Sequence, residues 1–266
     1  MKKIIVEFSN ERLITPSGLT LVGGALGKSV LAKRANRMKV DNKRSQPQIK
    51  NGDILLTYIG LLCQGKPSFE AVREMQADPD YYKAALGIAY AIPSAETLRQ
   101  KMDLIGRTLR DETLAANITM FNTIGVKPSP LPCDLVPVDI DVTPCDNSKI
   151  RKEGVSRTYK GFDGYAPIMA YIGSEGYLVN TELRERKQHS QKGTPAFLRE
   201  TLRLSHQTTD KQILIRMDSG NDAAENLGIL IAGHVKEHAW RLILAMEKSN
   251  IWIPVFMDLH RQLVLT

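Results

Sequence analysis

Asp139 and Asp141 stand two residues apart in an apolar run, Leu135-Val136-Pro137-Val138-Asp139-Ile140-Asp141-Val142-Thr143. Extended backbone sends successive side chains to opposite faces, so Val136, Val138, Ile140 and Val142 share one face and both acids share the other. Charge on a buried strand is costly without a partner, and the pattern predicts a cation meeting these carboxylates. A second apolar run, Ile213-Leu214-Ile215-Arg216-Met217, delivers Asp218 just before Ser219-Gly220. Ligands of open α/β sheets collect at the carboxyl ends of strands. If the two strands are neighbours, Asp141 and Asp218 converge there, and paired hard oxygen donors suit Mg²⁺ or Mn²⁺. A cation held that way stabilises the attacking and leaving oxygens of phosphoryl transfer. Either acid taken alone reads better as a turn or helix cap; the pair together favours the metal.

The elements that position these acids follow from periodicity. Strands are expected over 135–142, 165–172, 177–183 and 212–217, the middle two closed into a hairpin by Gly173-Ser174-Glu175-Gly176. A helix over 195–204 with Thr194 as its cap, and another beginning near Asp222, complete a mixed α/β sheet. Upstream, apolar residues recur at helical spacing over 53–62, 69–75 and 80–89. A further helix starts with Ser94 at its N-cap and Glu96 in its first turn, and runs to Leu109. Three prolines between Gly125 and Pro132 mark a linker. The expected organisation is a basic arm and helical domain over 1–125, a linker over 126–133, and an α/β domain over 134–266.

Charge is unevenly distributed. The 266-residue chain carries a formal net charge of +7. Residues 1–50 hold eleven Lys or Arg against three acids, and the remainder is nearly neutral. Such a basic stretch suits a polyanion, nucleic acid being the commonest, while a merely solvated face accounts for it equally well. The helix after Ser94 adds Arg99 and Lys101, so a helix-turn-helix entering a DNA groove is the expected form of this region. The candidate DNA contacts are Lys33, Arg34, Arg37, Lys39, Lys43, Arg44, Arg99 and Lys101. Three dispersed cysteines, Cys63, Cys133 and Cys145, offer no metal spacing and fit a reducing compartment. No apolar run approaches the ~20 residues of a membrane span, so the default location is the cytoplasm.

Four motifs occur in an order that resembles insertion-sequence transposases with a DDE catalytic triad. Ile140-Asp141-Val142-Thr143 fits their apolar-Asp-any-Thr strand, and Gly164-Tyr165-Ala166-Pro167-Ile168 their second-strand motif. Leu183-Arg184 with His189-Ser190 is similar to the stretch after the third strand, and Arg216-Met217-Asp218-Ser219-Gly220 to the second-aspartate strand and turn. The group most resembled is insertion sequence thirteen-eighty. The resemblance implies a ribonuclease-H-like catalytic domain behind a helical DNA-binding domain. It implies Asp141 and Asp218 as catalytic metal ligands for Mg²⁺ or Mn²⁺, with Asp139 an outer acid or an alternative ligand. It further implies cleavage of double-stranded DNA at element ends, attack of the freed 3′-hydroxyl on target DNA, homo-oligomeric action on paired ends, and association with the bacterial nucleoid.

One departure from the family stands out. The third acid, a glutamate on a late helix, is not recognisable in the 48 residues after Asp218. Glu237 and Glu247 are carboxylates without a matching motif, so an incomplete copy is expected, with a non-catalytic DNA-binding remnant as the alternative. Two short motifs are set aside. Gly27-Lys28-Ser29 lacks the glycine and preceding strand of a phosphate loop, and His234-Val235-Lys236-Glu237-His238 lacks a third zinc ligand.

Overall fold

The computed structural model describes residues 16–38, 49–149, 154–157, 161–184, 193–217, 224–226 and 228–230. It divides into two compact units, Met1–Ala116 and Asn117–Thr266.

The first unit is helical. It contains α1 (Leu19–Ser29), α2 (Leu31–Arg37), α3 (Asn51–Cys63), a 3₁₀ turn (Phe69–Ala71), α4 (Val72–Ala77), α5 (Pro79–Leu86) and the start of α6 (Ala95–Ile124). Its core is built from aliphatic side chains of every helix, among them Leu31, Ile54, Leu61, Met75, Leu86 and Leu98. Close approach depends on glycine: a Cβ at Gly23 of α1 would lie 1.8 Å from the Ala85 carbonyl oxygen of α5. Asp53, 3% exposed in the first turn of α3, accepts the amides of Ala89 and Tyr90 at 3.0 Å each. That carboxylate ties the segment after α5 to the head of α3 and has its charge satisfied by backbone donors.

The stretch expected as a basic arm is helical where it is described. Leu31 and Ala35 are buried, and α2 is part of the core, because apolar residues four apart interleave with Lys33, Arg34 and Arg37. The helix capped by Ser94, whose Oγ accepts the Thr97 amide at 3.2 Å, continues past Leu109 to Ile124. No proline interrupts it, and it stops where Gly125 turns left-handed at φ 74° and the Val126 amide returns to the Phe121 carbonyl.

In the second unit β1 (Val136–Val142) is followed by two short strands, β2 (Cys145–Asp146) and β3 (Ser156–Arg157), and then β4 (Asp163–Tyr165). Next come β5 (Ile168–Ile172), β6 (Tyr177–Glu182), α7 (Thr194–Ser205) and β7 (Ile213–Met217). The main sheet has the order β6-β5-β1-β7, and β2-β4-β3 form a small second sheet. The strand expected over 165–172 is two strands, because Pro167 has no amide to donate and the chain changes sheets there. β1 and β5 are antiparallel, as are β5 and β6, while β7 returns parallel to β1 after α7. One face carries Val138, Ile140, Ile168, Ala170, Ile172, Ile213 and Ile215, all buried. α7 buries Phe197, Leu198, Thr201 and Leu204 at helical spacing. Its N-cap is Gly193, at φ 85°, in place of the expected Thr194. Thr194 instead accepts the Arg184 Nη1 at 3.0 Å. Residues 224–226 and 228–230 are helical, as expected from about Asp222 onward. Among the described residues no helix is long and apolar enough to cross a membrane.

Candidate active site

β1 and β7 lie side by side and parallel, β7 being last in the order of the described strands of the main sheet. The register pairs Val136 with Ile213, Val138 with Ile215, Asp139 with Arg216 and Ile140 with Met217. Their carboxyl ends are therefore adjacent, which is where an open sheet offers a binding edge. The cation anticipated for the acidic face is present in the protein itself. Arg216 binds Asp139 in a two-pronged pair, Nε to Oδ1 and a terminal nitrogen to Oδ2, both at 2.5 Å. Hydrogen bonding to Asp139 holds the Arg216 guanidinium above its ordinary pKa, against the opposing effect of partial burial. The pair is only half-buried, at 41% and 43% side-chain exposure, so the contribution to stability is modest.

Asp141, two residues further along the same face, is exposed and has no partner among the described residues. Met169 and Tyr171 of β5 register with Asp141 and Asp139 respectively and bring no charge to the face. The Asp141 carboxylate is a hard donor open to solvent, which fits Mg²⁺, a cation that keeps several waters and needs few protein carboxylates. Among the described residues no group of three or more His, Cys, Asp or Glu is assembled for a metal. Asp218, Glu237, Glu247 and the His234–His238 motif lie outside the described residues.

The basic candidates sort into different environments. Lys33 and Arg37 are exposed on α2. Arg34 Nε lies 2.7 Å from Glu112 Oε2, an ion pair without a well-aligned hydrogen bond. Arg99 pairs with Glu96 and approaches Glu70 at 3.5 Å, and Lys101 is half-buried. Lys39, Lys43 and Arg44 lie outside the described residues. Arg216, the partner of Asp139, is not among the residues singled out by type and spacing. The signal was available: Arg216 sits two before Asp218 as Asp139 sits two before Asp141, so the parity that aligns one pair aligns the other.

A mixed sheet in which the acid-bearing strand β1 runs parallel to its neighbour β7 defines an α/β domain. The model of the family transposase DDE domain group 1 matches residues 1–250, and the chain belongs to that family. No curated protein matches the sequence. Among solved structures it is similar to the cryo-EM structure of the piggyBac transposase synaptic complex with hairpin DNA. The identity is 11% and the TM-score 0.39, over 90% of this chain and 52% of that one. The chain thus spans about half the length of that transposase chain.

Proposed function

We propose that this chain is the transposase of an insertion sequence, of the thirteen-eighty group, which binds element ends and carries out metal-dependent strand cleavage and transfer. The observation that carries the reading is the parallel pairing of β1 with β7. Its last registered pair is Ile140 with Met217; Asp141 follows Ile140 in β1, and Asp218 follows Met217 in the sequence. In this reading Asp141 and Asp218 hold Mg²⁺ or Mn²⁺. A bound divalent ion supplies charge stabilisation to the attacking and leaving oxygens at phosphorus. Asp141 contributes a carboxylate whose solvent exposure leaves room for a DNA phosphate beside it. Three antiparallel strands followed by a parallel return through α7 support a ribonuclease-H-like domain. The helical unit is the DNA-binding module, of helix-turn-helix kind, with exposed Lys33 and Arg37 supporting a phosphate-facing surface.

The test is nicking of labelled DNA carrying the ends of the encoding element, with Mg²⁺ or Mn²⁺ present. Asp141→Asn and Asp218→Asn should each lower nicking by about 10²-fold or more while leaving DNA binding intact. Nicking that persists in Asp141→Asn overturns the site. Binding by the wild-type chain with no nicking favours the non-catalytic remnant.

A further inference from the structure

β1 presents two chemically identical carboxylates on one face, about 6.6 Å apart along the strand, and they are not equivalent. Asp139 has both oxygens engaged by Arg216, and Asp141 has no partner among the described residues. A two-pronged guanidinium takes one in-plane lone-pair direction on each oxygen, and its charge repels a cation approaching the same oxygens. The flanking residues of β5, Met169 and Tyr171, add no charge that could reverse this. We infer that Arg216 is a positioning residue that masks Asp139 from divalent cations, leaving Asp141 as the cation-facing acid of β1.

The inference rests on the phosphoryl-transfer reading and refines it. Without Arg216 the strand would offer a doubly negative face, and a cation could settle one strand repeat away from the sheet edge. With it, the uncompensated charge is confined to Asp141. The same pair also links β7 to β1 at the next-to-last position of their register. Mutual neutralisation across the two strands therefore fixes both where the edge lies and which acid stands on it.

Mn²⁺ binding to the full-length chain, followed by electron paramagnetic resonance, tests this without reference to activity. Asp139→Asn should bind Mn²⁺ within about threefold of wild type, whereas Asp141→Asn should weaken binding by about tenfold or more. Arg216→Gln should tighten Mn²⁺ binding several-fold by unmasking Asp139. Asp139→Asn combined with Arg216→Gln should return it to the wild-type value. If Asp139→Asn weakens binding as much as Asp141→Asn, Asp139 is a ligand and the masking role is wrong. If folded Arg216→Gln binds no tighter, it is equally wrong. Wild-type Mn²⁺ binding indifferent to Asp141→Asn would instead remove the metal reading itself. Should Arg216→Gln fail to fold, as read by thermal denaturation, the two aspartate variants still decide the matter.

Discussion

Glu175 sits at the tip of the β5–β6 hairpin and accepts the Ser129 amide at 3.0 Å and the Ser129 hydroxyl as well. Those hydrogen bonds, the side-chain one foremost, hold its carboxyl below the ordinary glutamate range. A depressed carboxylate contributes stability that is complete above its unfolded pKa, ~4.3, and is lost as pH falls through the lower folded value. Glu175→Gln should therefore lower Tm by about 1–3 °C at neutral pH, the scale of an exposed interaction. The gap between wild type and variant should close in circular-dichroism melts below pH ~4. A gap unchanged at pH ~3 would show that charge is not what Ser129 recognises. The alternation around Asp139 and Asp141 foretold a cation opposite the acids, because parity along a strand is a local property. Which cation it would be required knowing that β1 and β7 are neighbours in register, a fact held in the fold and not in either segment.

Two adjacent glycines of α1 show how an element's fit is decided by one Cβ. At Gly23 a methyl group would collide with the Ala85 carbonyl of α5, while at Gly24 it would meet nothing within 4 Å. Gly24→Ala should stabilise the protein by about 0.5–1 kcal/mol through the helix preference of alanine. Gly23→Ala should destabilise it by about 2–4 kcal/mol by forcing the helices apart. Urea denaturation of the pair measures both signs, and two shifts of equal sign would contradict the close crossing. Helix periodicity makes α3 and α5 readable, whereas Gly23, Gly24 and Gly27 lower the helix signal of α1, and Lys33, Arg34 and Arg37 of α2 leave only Leu31 and Ala35 as its buried residues. Similarly, β4 and β5 read as one strand because Ala166-Pro167 interrupts pairing without interrupting apolar character.

For the molecule as a whole, the excess positive charge lies within residues 1–50, and its described, exposed members include Lys33 and Arg37. Each phosphate contact releases condensed counterions, so the proposed DNA binding should weaken steeply with salt. Replacing Lys33 and Arg37 together by alanine should reduce the slope of log K against log salt by about 2. Fluorescence anisotropy at several salt concentrations measures it, and an unchanged slope would take α2 out of the DNA interface. Arg34 and Arg99 were read from sequence as part of the same set, yet both are engaged by glutamates. Composition counts such charges, and only the fold shows which are already neutralised.

The parallel pairing of β1 with β7 joins strands 77 residues apart in sequence, whereas β5 and β6 meet across a four-residue turn. Loop closure is entropically slower for the distant pair, so the antiparallel meander forms first and β7 arrives last. Until it does, β1 is an open border of unpaired amides along Val136, Val138 and Ile140, a template for misassembly with another chain. During synthesis, the last of the described strands to leave the ribosome is thus the one that both pairs with β1 along that border and neutralises Asp139. A paired β1 and a neutralised Asp139 are acquired in the same late event.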